Sequence, residues 1–499
     1  MPRSSGQDYP LRLEVALLWF FGAATLAGVF LWGPPAANAA QYRIRSITIG
    51  RATQYFRSDR SVSAPRQFTQ GMSLWGYDLL DDRTGSLNAH VSFRFHTDFS
   101  LSSAERNDPY LAHQWNDLVL DLAYLDWKPF EAMRLRFGRQ WSMSSLGVRD
   151  FDGVAFRWRP RLEASTRARF EAYAGRDIQT AYGRFDSAQF DVQGLPPDDR
   201  LESDKLDGTH FVTGAGAGMS WARQASFDLS WRRRFSTGVD SPTVADAGSD
   251  GTSTNETVVG SERFGAAASA SFMRRLVAST HGAFHSQLQD VDRAGLQLSW
   301  MVPDPMGVAT AGVDHRHPWF DSSSIFNLFG ARPYQSAFLT YQQPVDSLRT
   351  DVELRGWGRL YHGDDEATAS GVDAQDERTA GAAISHTSRL KVGRHPMNWR
   401  SLLSYQTSLD RGSDQLLADV RLRMPVWQRD LFLSVRGLAL AALTDHRRFD
   451  DGYATTGVVG LDVPISTLGT LSAAVETTTG SVYPTNTSVY ATFALEHWP

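Results

Sequence analysis

Arginine is the residue whose spacing carries chemistry in this chain. It recurs in pairs two residues apart: Arg134 with Arg136, Arg157 with Arg159, Arg167 with Arg169, Arg232 with Arg234, Arg421 with Arg423. Arg355 and Arg359 keep the same phase at twice the step. Acids fall in phase with them, at Glu171, Asp228, Glu353 and Asp419. In a β-strand, residues i and i+2 share one face, so each set projects to one side. A guanidinium stays charged at physiological pH and presents a fork of donors that fits carboxylates and phosphates. Two readings of these files stand. They form a rigid Arg–carboxylate lattice, or they build a field that favours anions.

Residues for covalent or acid–base chemistry are poorly arranged. His96, His281, His285 and His362 sit in or beside strand-like segments, yet no pattern marks a nucleophile with its base and orienting acid. No enzyme is expected. His315 and His317 in Val313-Asp-His-Arg-His317 could share a strand face, but two imidazoles leave a metal under-ligated, and a polar loop is expected. The run Asp246-Ala-Gly-Ser-Asp250-Gly251 opens like a calcium loop, but its Glu is displaced to Glu256 and no helices flank it. A solvated loop, or weak divalent bridging to lipopolysaccharide, fits it better. The chain has no cysteine, which removes thiolate metal sites, c-type haem attachment, Fe–S ligation and lipid attachment at cysteine. Neither a metal nor a cofactor is expected.

The elements that must hold the arginines follow from alternation. Met133-Arg-Leu-Arg-Phe137, Val352-Glu-Leu-Arg-Gly356 and Val420-Arg-Leu-Arg-Met424 alternate apolar and charged residues at period two. Each segment has one apolar and one charged face. An arginine on the lipid side at mid-depth costs about 2–4 kcal/mol, so the charged face must look into a wet lumen. Strand-length segments are expected from near Gln41, Phe68, Ser86, Asn116, Glu131, Phe151, Leu162, Thr209, Ala225, Ser261 and Leu276. They continue from Arg293, Met306, Tyr334, Ser347, Thr379, Met397, Asp414, Arg429, Tyr453, Leu468 and Thr485. Tight turns such as Lys128–Glu131, Arg159–Arg161, Val302–Pro305, Pro344–Ser347, Gly393–Pro396 and Val426–Arg429 alternate with long acidic connections at 191–209, 237–256 and 363–378. The fold class expected is all-β, a single transmembrane antiparallel β-barrel of about 18–22 strands, with 22 the best count. Segments 68–80 and 306–319, read instead as loop or bulge, would lower it.

Composition agrees. The 499 residues are 42% hydrophobic with a mean hydropathy of -0.33, too polar for a helical membrane protein. The formal net charge of -5 points to no nucleic-acid partner. Residues 1–39 read as a cleaved secretory signal: Arg3 and Arg12, an apolar run from Val15 to Trp32, Pro34-Pro35, then Ala37-Asn38-Ala39 before Ala40. Residues 40–499 are expected to form the barrel, and strand patterning that begins near Gln41 disfavours a plug-bearing receptor. Val489, Ala491, Phe493 and Leu495 make one apolar face of a last strand of the kind that the outer-membrane assembly machinery engages. Trp127, Trp141, Trp221, Trp300 and Trp427 are expected at the membrane rims. The expected surroundings are outer-membrane lipid and lipopolysaccharide, with periplasmic secretion partners and oligomers left open.

The stretch Leu135-Arg-Phe-Gly138-Arg139-Gln140, followed by Phe151-Asp152-Gly153-Val154, resembles the Gly-Arg-Gln…Phe-Asp-Gly-Val segment of alginate-export-type porins, and Tyr124-Leu-Asp-Trp-Lys-Pro129 suits that neighbourhood. The resemblance covers 30–40 residues. It implies an 18-stranded barrel whose Arg-rich lumen carries an anionic polysaccharide outward, with Arg139, Gln140 and Asp152 near the lumen or a loop that narrows it. The function expected is a porin for passive passage of hydrophilic solutes, anions among them, through an Arg-lined pore. A polysaccharide-secretion conduit and a scaffold barrel that holds a partner protein are the alternatives.

Overall fold

Strands with one apolar and one charged face need a partner on both edges once they enter lipid, where no water satisfies free N–H and C=O groups. A closed sheet meets that demand. The computed structural model describes residues 41–56, 62–63, 66–80, 85–99, 116–178, 209–222, 224–237, 257–273, 275–286, 289–303, 306–317, 333–346, 349–363, 376–392, 395–410, 412–426, 431–444, 452–466, 469–481 and 485–497. Residues 1–39, the acidic stretches 191–208, 238–256 and 364–375, and Trp427 lie outside the described residues.

Among the described residues, 23 strands form one antiparallel sheet, from β1 (Gln41–Phe56) to β23 (Asn486–His497). β2 (Val62–Ser63) is a two-residue ribbon on the far end of β1. The other 22 are the staves of the wall. β1 pairs with β3 (Arg66–Tyr77) on one edge and with β23 on the other, from Ile44 opposite His497 to Gln54 opposite Thr487. That second ladder closes the ring. Each stave otherwise pairs with its neighbours in sequence, although β5 (Asn116–Phe130) and β6 (Met133–Ser144) pair only over Ala123–Phe130, below the point where the hairpin of β6 and β7 (Gly147–Trp158) leaves the wall. Every stave begins within four residues of the position expected from alternation. The two doubtful segments are both staves, β3 and β14 (Met306–Arg316). The ring is therefore larger than the 18 strands implied by the alginate-export resemblance.

Alternation separates the faces. On β16 (Thr350–Tyr361), Leu354 is 48% exposed on one side, while Glu353, Arg355 and Arg359 occupy the other. On β19 (Ser413–Pro425), Leu416 and Val420 are exposed opposite Asp419, Arg421 and Arg423. The exposed aliphatic face is the lipid side. Tight connections gather at one end of the ring, as in the two-residue turn after β5 (Asn116–Phe130), and both Gln41 and His497 lie there. Trp158, Trp221, Trp300 and Trp399 form a girdle of half-exposed indoles toward this short-turn end. At the opposite end, the Arg378 side chain and main-chain amide bind Asp410 in the turn after β18 (His395–Ser408) and hold its carboxyl below the usual range.

Face assignment can be tested by introducing one charge on each side of the wall. Leu354→Arg is expected to lower stability by about 2–4 kcal/mol in refolding titrations into lipid vesicles. Ser385→Arg, opposite Glu353 on the inner face, is expected to stay within about 0.5 kcal/mol of the parent.

Candidate functional site

The inner face carries two arginine clusters near the short-turn end. The first lies on β6 (Met133–Ser144), β7 (Gly147–Trp158) and β8 (Thr166–Asp177). Arg134 stands directly opposite Arg157, two like charges at a position that lipid would not accept. Carboxylates of neighbouring staves relieve them. Asp126 binds Arg134 and lies 3.7 Å from Arg136, Glu171 is 3.4 Å from Arg157, and Asp228 is 2.7 Å from Arg169. Arg159 and Arg167 are exposed and have no carboxylate within ion-pair reach among the described residues.

The second cluster faces the first. β7 and β18 are eleven staves apart in the ring of 22, so they lie across the lumen from each other. Arg400, Arg421 and Arg436 form one cross-strand row on β18, β19 and β20 (Phe432–Thr444). Asp419 binds Arg421 at 2.7 Å and Arg436 at 3.0 Å, and Asp462 binds Arg423 at 3.1 Å. Arg400 is exposed and lacks such a partner among the described residues. The expected files thus converge as two opposed patches in which arginines outnumber the acids that bind them. Arg232 and Arg234 lie higher on β10 (Ala225–Thr237), and Arg355 and Arg359 higher on β16.

Between the two ends, the lumen is narrowed by a feature that alternation does not show. Gly138, Gly153 and Gly175 form one cross-strand row through β6, β7 and β8. Gly138 has a φ of 115°, and a Cβ there would stand 2.2 Å from the Ala123 carbonyl oxygen. At Gly153 it would stand 2.1 Å from the Ala174 oxygen, and at Gly175 2.4 Å from the Asp152 oxygen. Only glycine fits this close approach, and the β5–β6 ladder ends one residue past the row, at Arg139. Beyond it, the tip of the β6–β7 hairpin folds inward along the wall. Ser145 shares a hydrogen bond with Ser230 on β10, and Ser145 and Leu146 pack onto Gly265 of β11 (Thr257–Phe272).

A small core forms under the hairpin. Phe151 and Val212 are fully buried, Gln140 is 1% exposed, and Phe151 stacks on Tyr173 with ring centroids 5.0 Å apart. Asp177, its side chain wholly buried, accepts Arg149 of the hairpin and, at 3.0 Å, Arg234 of the wall. The Gln140 amide donates to the Arg136 and Gly153 carbonyl oxygens. Arg139 and Asp152 lie on the infolded hairpin itself. They pair at 2.8 Å on the face opposite Gln140 and Phe151, where Arg139 also donates to the Leu120 carbonyl oxygen. Strand parity decides this, since neighbours in sequence cannot share a face. The only sequence cues to the infolded hairpin are the glycines and the two-residue tip.

The histidines do not assemble into a site. His317 pairs with Asp290, and His281 lies 3.3 Å from Asp314. Among the described residues, no three potential ligands converge on a metal position. The Asp246–Glu256 run lies outside the described residues.

Comparison with known proteins bears on the same wall. Residues 82–147, which include β6, match the model of the family described as phosphate-selective porin O and P. The match falls on that family rather than on alginate-export porins. No curated protein matches the chain. Among solved structures, the ferric enterobactin receptor PfeA of Pseudomonas aeruginosa is similar with a TM-score of 0.56 at 11% identity, over 91% of this chain and 81% of that one. OccAB1 of Acinetobacter baumannii has a TM-score of 0.41 at 10% identity, over 92% and 96% of the two chains. A BenF-like porin from Pseudomonas fluorescens has a TM-score of 0.42 at 10% identity, over 92% and 99%. The closed barrel, with its apolar outer face, is of the outer-membrane type, and one segment of it is similar to a porin family. Within that class, the segment similar to the phosphate-selective porins includes the stave that bends inward.

The inward fold of the hairpin can be trapped. The chain has no cysteine, so Ser145→Cys with Ser230→Cys introduces the sole thiol pair, at positions whose hydroxyls already touch. Mild oxidation of the folded protein is expected to form the disulfide, read as loss of both thiols in a maleimide assay. A hairpin that stood upright would leave both thiols free.

Proposed function

We propose that this porin passes small hydrophilic solutes passively and favours anions, by electrostatic partitioning at opposed arginine patches and steric sieving at the infolded hairpin. The observation that carries this reading is the excess of guanidinium over carboxylate on both sides of the lumen. Charge of one sign on facing low-dielectric walls concentrates the opposite ion between them. Arg159, Arg167 and Arg400 contribute most to that field, because no carboxylate among the described residues neutralises them. The paired arginines serve the wall itself. With short turns toward the periplasm, both patches sit at the periplasmic mouth. Phosphate is the first anion to test, since it is named in the description of the matched family.

On this reading the pore-lining set is Arg134, Arg136, Arg157, Arg159, Arg167, Arg169, Arg232, Arg234, Arg355, Arg359, Arg421 and Arg423 with their acids Glu171, Asp228, Glu353 and Asp419, joined by Arg400 and Arg436, and no step is chemical. Lipid and lipopolysaccharide surround the barrel. Residues 1–39 direct export and are removed before Ala40. N-terminal sequencing of the protein from outer-membrane fractions is expected to begin at Ala40, and an intact Met1 there would exclude cleavage.

The selectivity reading is tested in planar bilayers by the reversal potential in a salt gradient. The parent is expected to be anion-selective. Replacing Arg159, Arg167 and Arg400 together by glutamine should lower the anion-to-cation permeability ratio roughly threefold, the effect of losing a fraction of a kcal/mol of attraction. The secondary structure should stay unchanged. A cation-selective parent would overturn the reading.

A further inference from the structure

One part of the lumen wall has a different chemistry. Phe338 on β15 (Tyr334–Val345) stands opposite Trp357 on β16, and Tyr334 stands opposite Tyr361 with ring centroids 5.4 Å apart. All four share the phase of Glu353, Arg355 and Arg359, so they lie on the inner face, opposite Leu339 and Leu354, which are exposed to lipid. The rings of Phe338 and Trp357 are laid along the wall. A Cβ at Gly312 would meet the Phe338 ring at 2.7 Å, and one at Gly381 would meet the Trp357 ring at 2.3 Å. The glycines are the seats that let these rings lie down.

Two guanidiniums cover the patch. Arg355 lies 5.8 Å from the centroids of both Phe338 and Trp357. Arg359 lies 5.7 Å from the Tyr334 centroid and donates to the Tyr361 hydroxyl at 3.4 Å. Neither has a carboxylate within ion-pair reach among the described residues, in contrast to Arg134, Arg169 and Arg421. Their N–H edges therefore remain available to an oxyanion, while aromatic faces stand beside them. Rings on the wet side of a barrel wall gain nothing from lipid, so this placement calls for a use on that side.

We propose that Phe338, Trp357, Tyr334, Tyr361, Arg355 and Arg359 form a binding site for aromatic anions in transit. The ring of the solute stacks on Trp357 and Phe338, and its charged group takes the fork of Arg355 or Arg359. The site rests on the open-pore reading above and adds a solute class to it.

The test uses sulfonates, which stay ionised across the working pH range. The full-length protein is held in a planar bilayer and titrated with benzenesulfonate, methanesulfonate or cyclohexanesulfonate. Benzenesulfonate is expected to interrupt the current at about tenfold lower concentration than the other two, the size of a ring-stacking contribution. Trp357→Ala with Phe338→Ala should abolish that preference with the basal conductance retained, and Arg355→Gln with Arg359→Gln should abolish it when the interruption is read as a fraction of that variant's own current. Equal interruption by all three sulfonates, or a preference that survives the ring substitutions, would overturn the site. A folded barrel that conducts nothing would overturn the open pore instead. Equilibrium dialysis of labelled benzenesulfonate against detergent-folded parent and ring variants then decides the site separately.

Discussion

Closure of the main-chain hydrogen-bond ladder between β1 and β23 is the constraint on which everything else depends. In hydrocarbon, an unpaired peptide group costs several kcal/mol, and an open 22-stave sheet would expose two full edges. With the ring closed, each stave is fixed in register with two neighbours. The inner and outer faces are then fixed as well, because a one-residue slip would turn every side chain over. The arginines can stand in the lumen only because this ladder leaves them no other side. Arg134 opposite Arg157 shows how far the constraint reaches: backbone register sets two like charges facing each other, and Asp126 and Glu171 on the flanking staves absorb the conflict.

Much of this is legible in the chain because a strand repeats at period two and the energetic contrast between its faces is large. Val352-Glu-Leu-Arg-Gly356 declares its own faces, and the starts of all 22 staves follow from such segments and their turns. What is illegible depends on contacts between residues far apart in sequence. Ser145 meets Ser230 across 85 positions, and nothing near either residue announces it. The motif around Arg139 and Asp152 places them on the hairpin, but only register shows that they pair with each other on one face while Gln140 and Phe151 turn to the other. The ring patch was hidden too, since Phe338 and Trp357 read singly as apolar residues and become neighbours only through the β15–β16 register.

The inner wall holds arginines in two physical situations. Those bound by carboxylates, such as Arg134 at Asp126 and Arg421 at Asp419, have much of their field cancelled, and they brace adjacent staves. Those without such partners among the described residues, Arg159, Arg167, Arg355, Arg359 and Arg400, keep their field and their donors. The lattice and the anion field are therefore not rival accounts of the same residues. They describe different members of one set, separated by whether an acid stands in the next stave.

The infolded hairpin gives the unpaired members their leverage. It packs against the inner side of β8 to β11, where Phe151, Tyr173, Val212 and the Asp177 clamp hold it. That occupies one sector of the lumen and leaves the sector of β15, β16 and β18 facing what remains open. A charge acts on a passing ion in inverse proportion to distance and to local dielectric, so narrowing the water path toward one wall strengthens every group on it. The infolded hairpin thus does more than reduce the bore. It leaves the uncovered sector of the wall, with the guanidiniums and laid-down rings of β15 and β16, lining the open path.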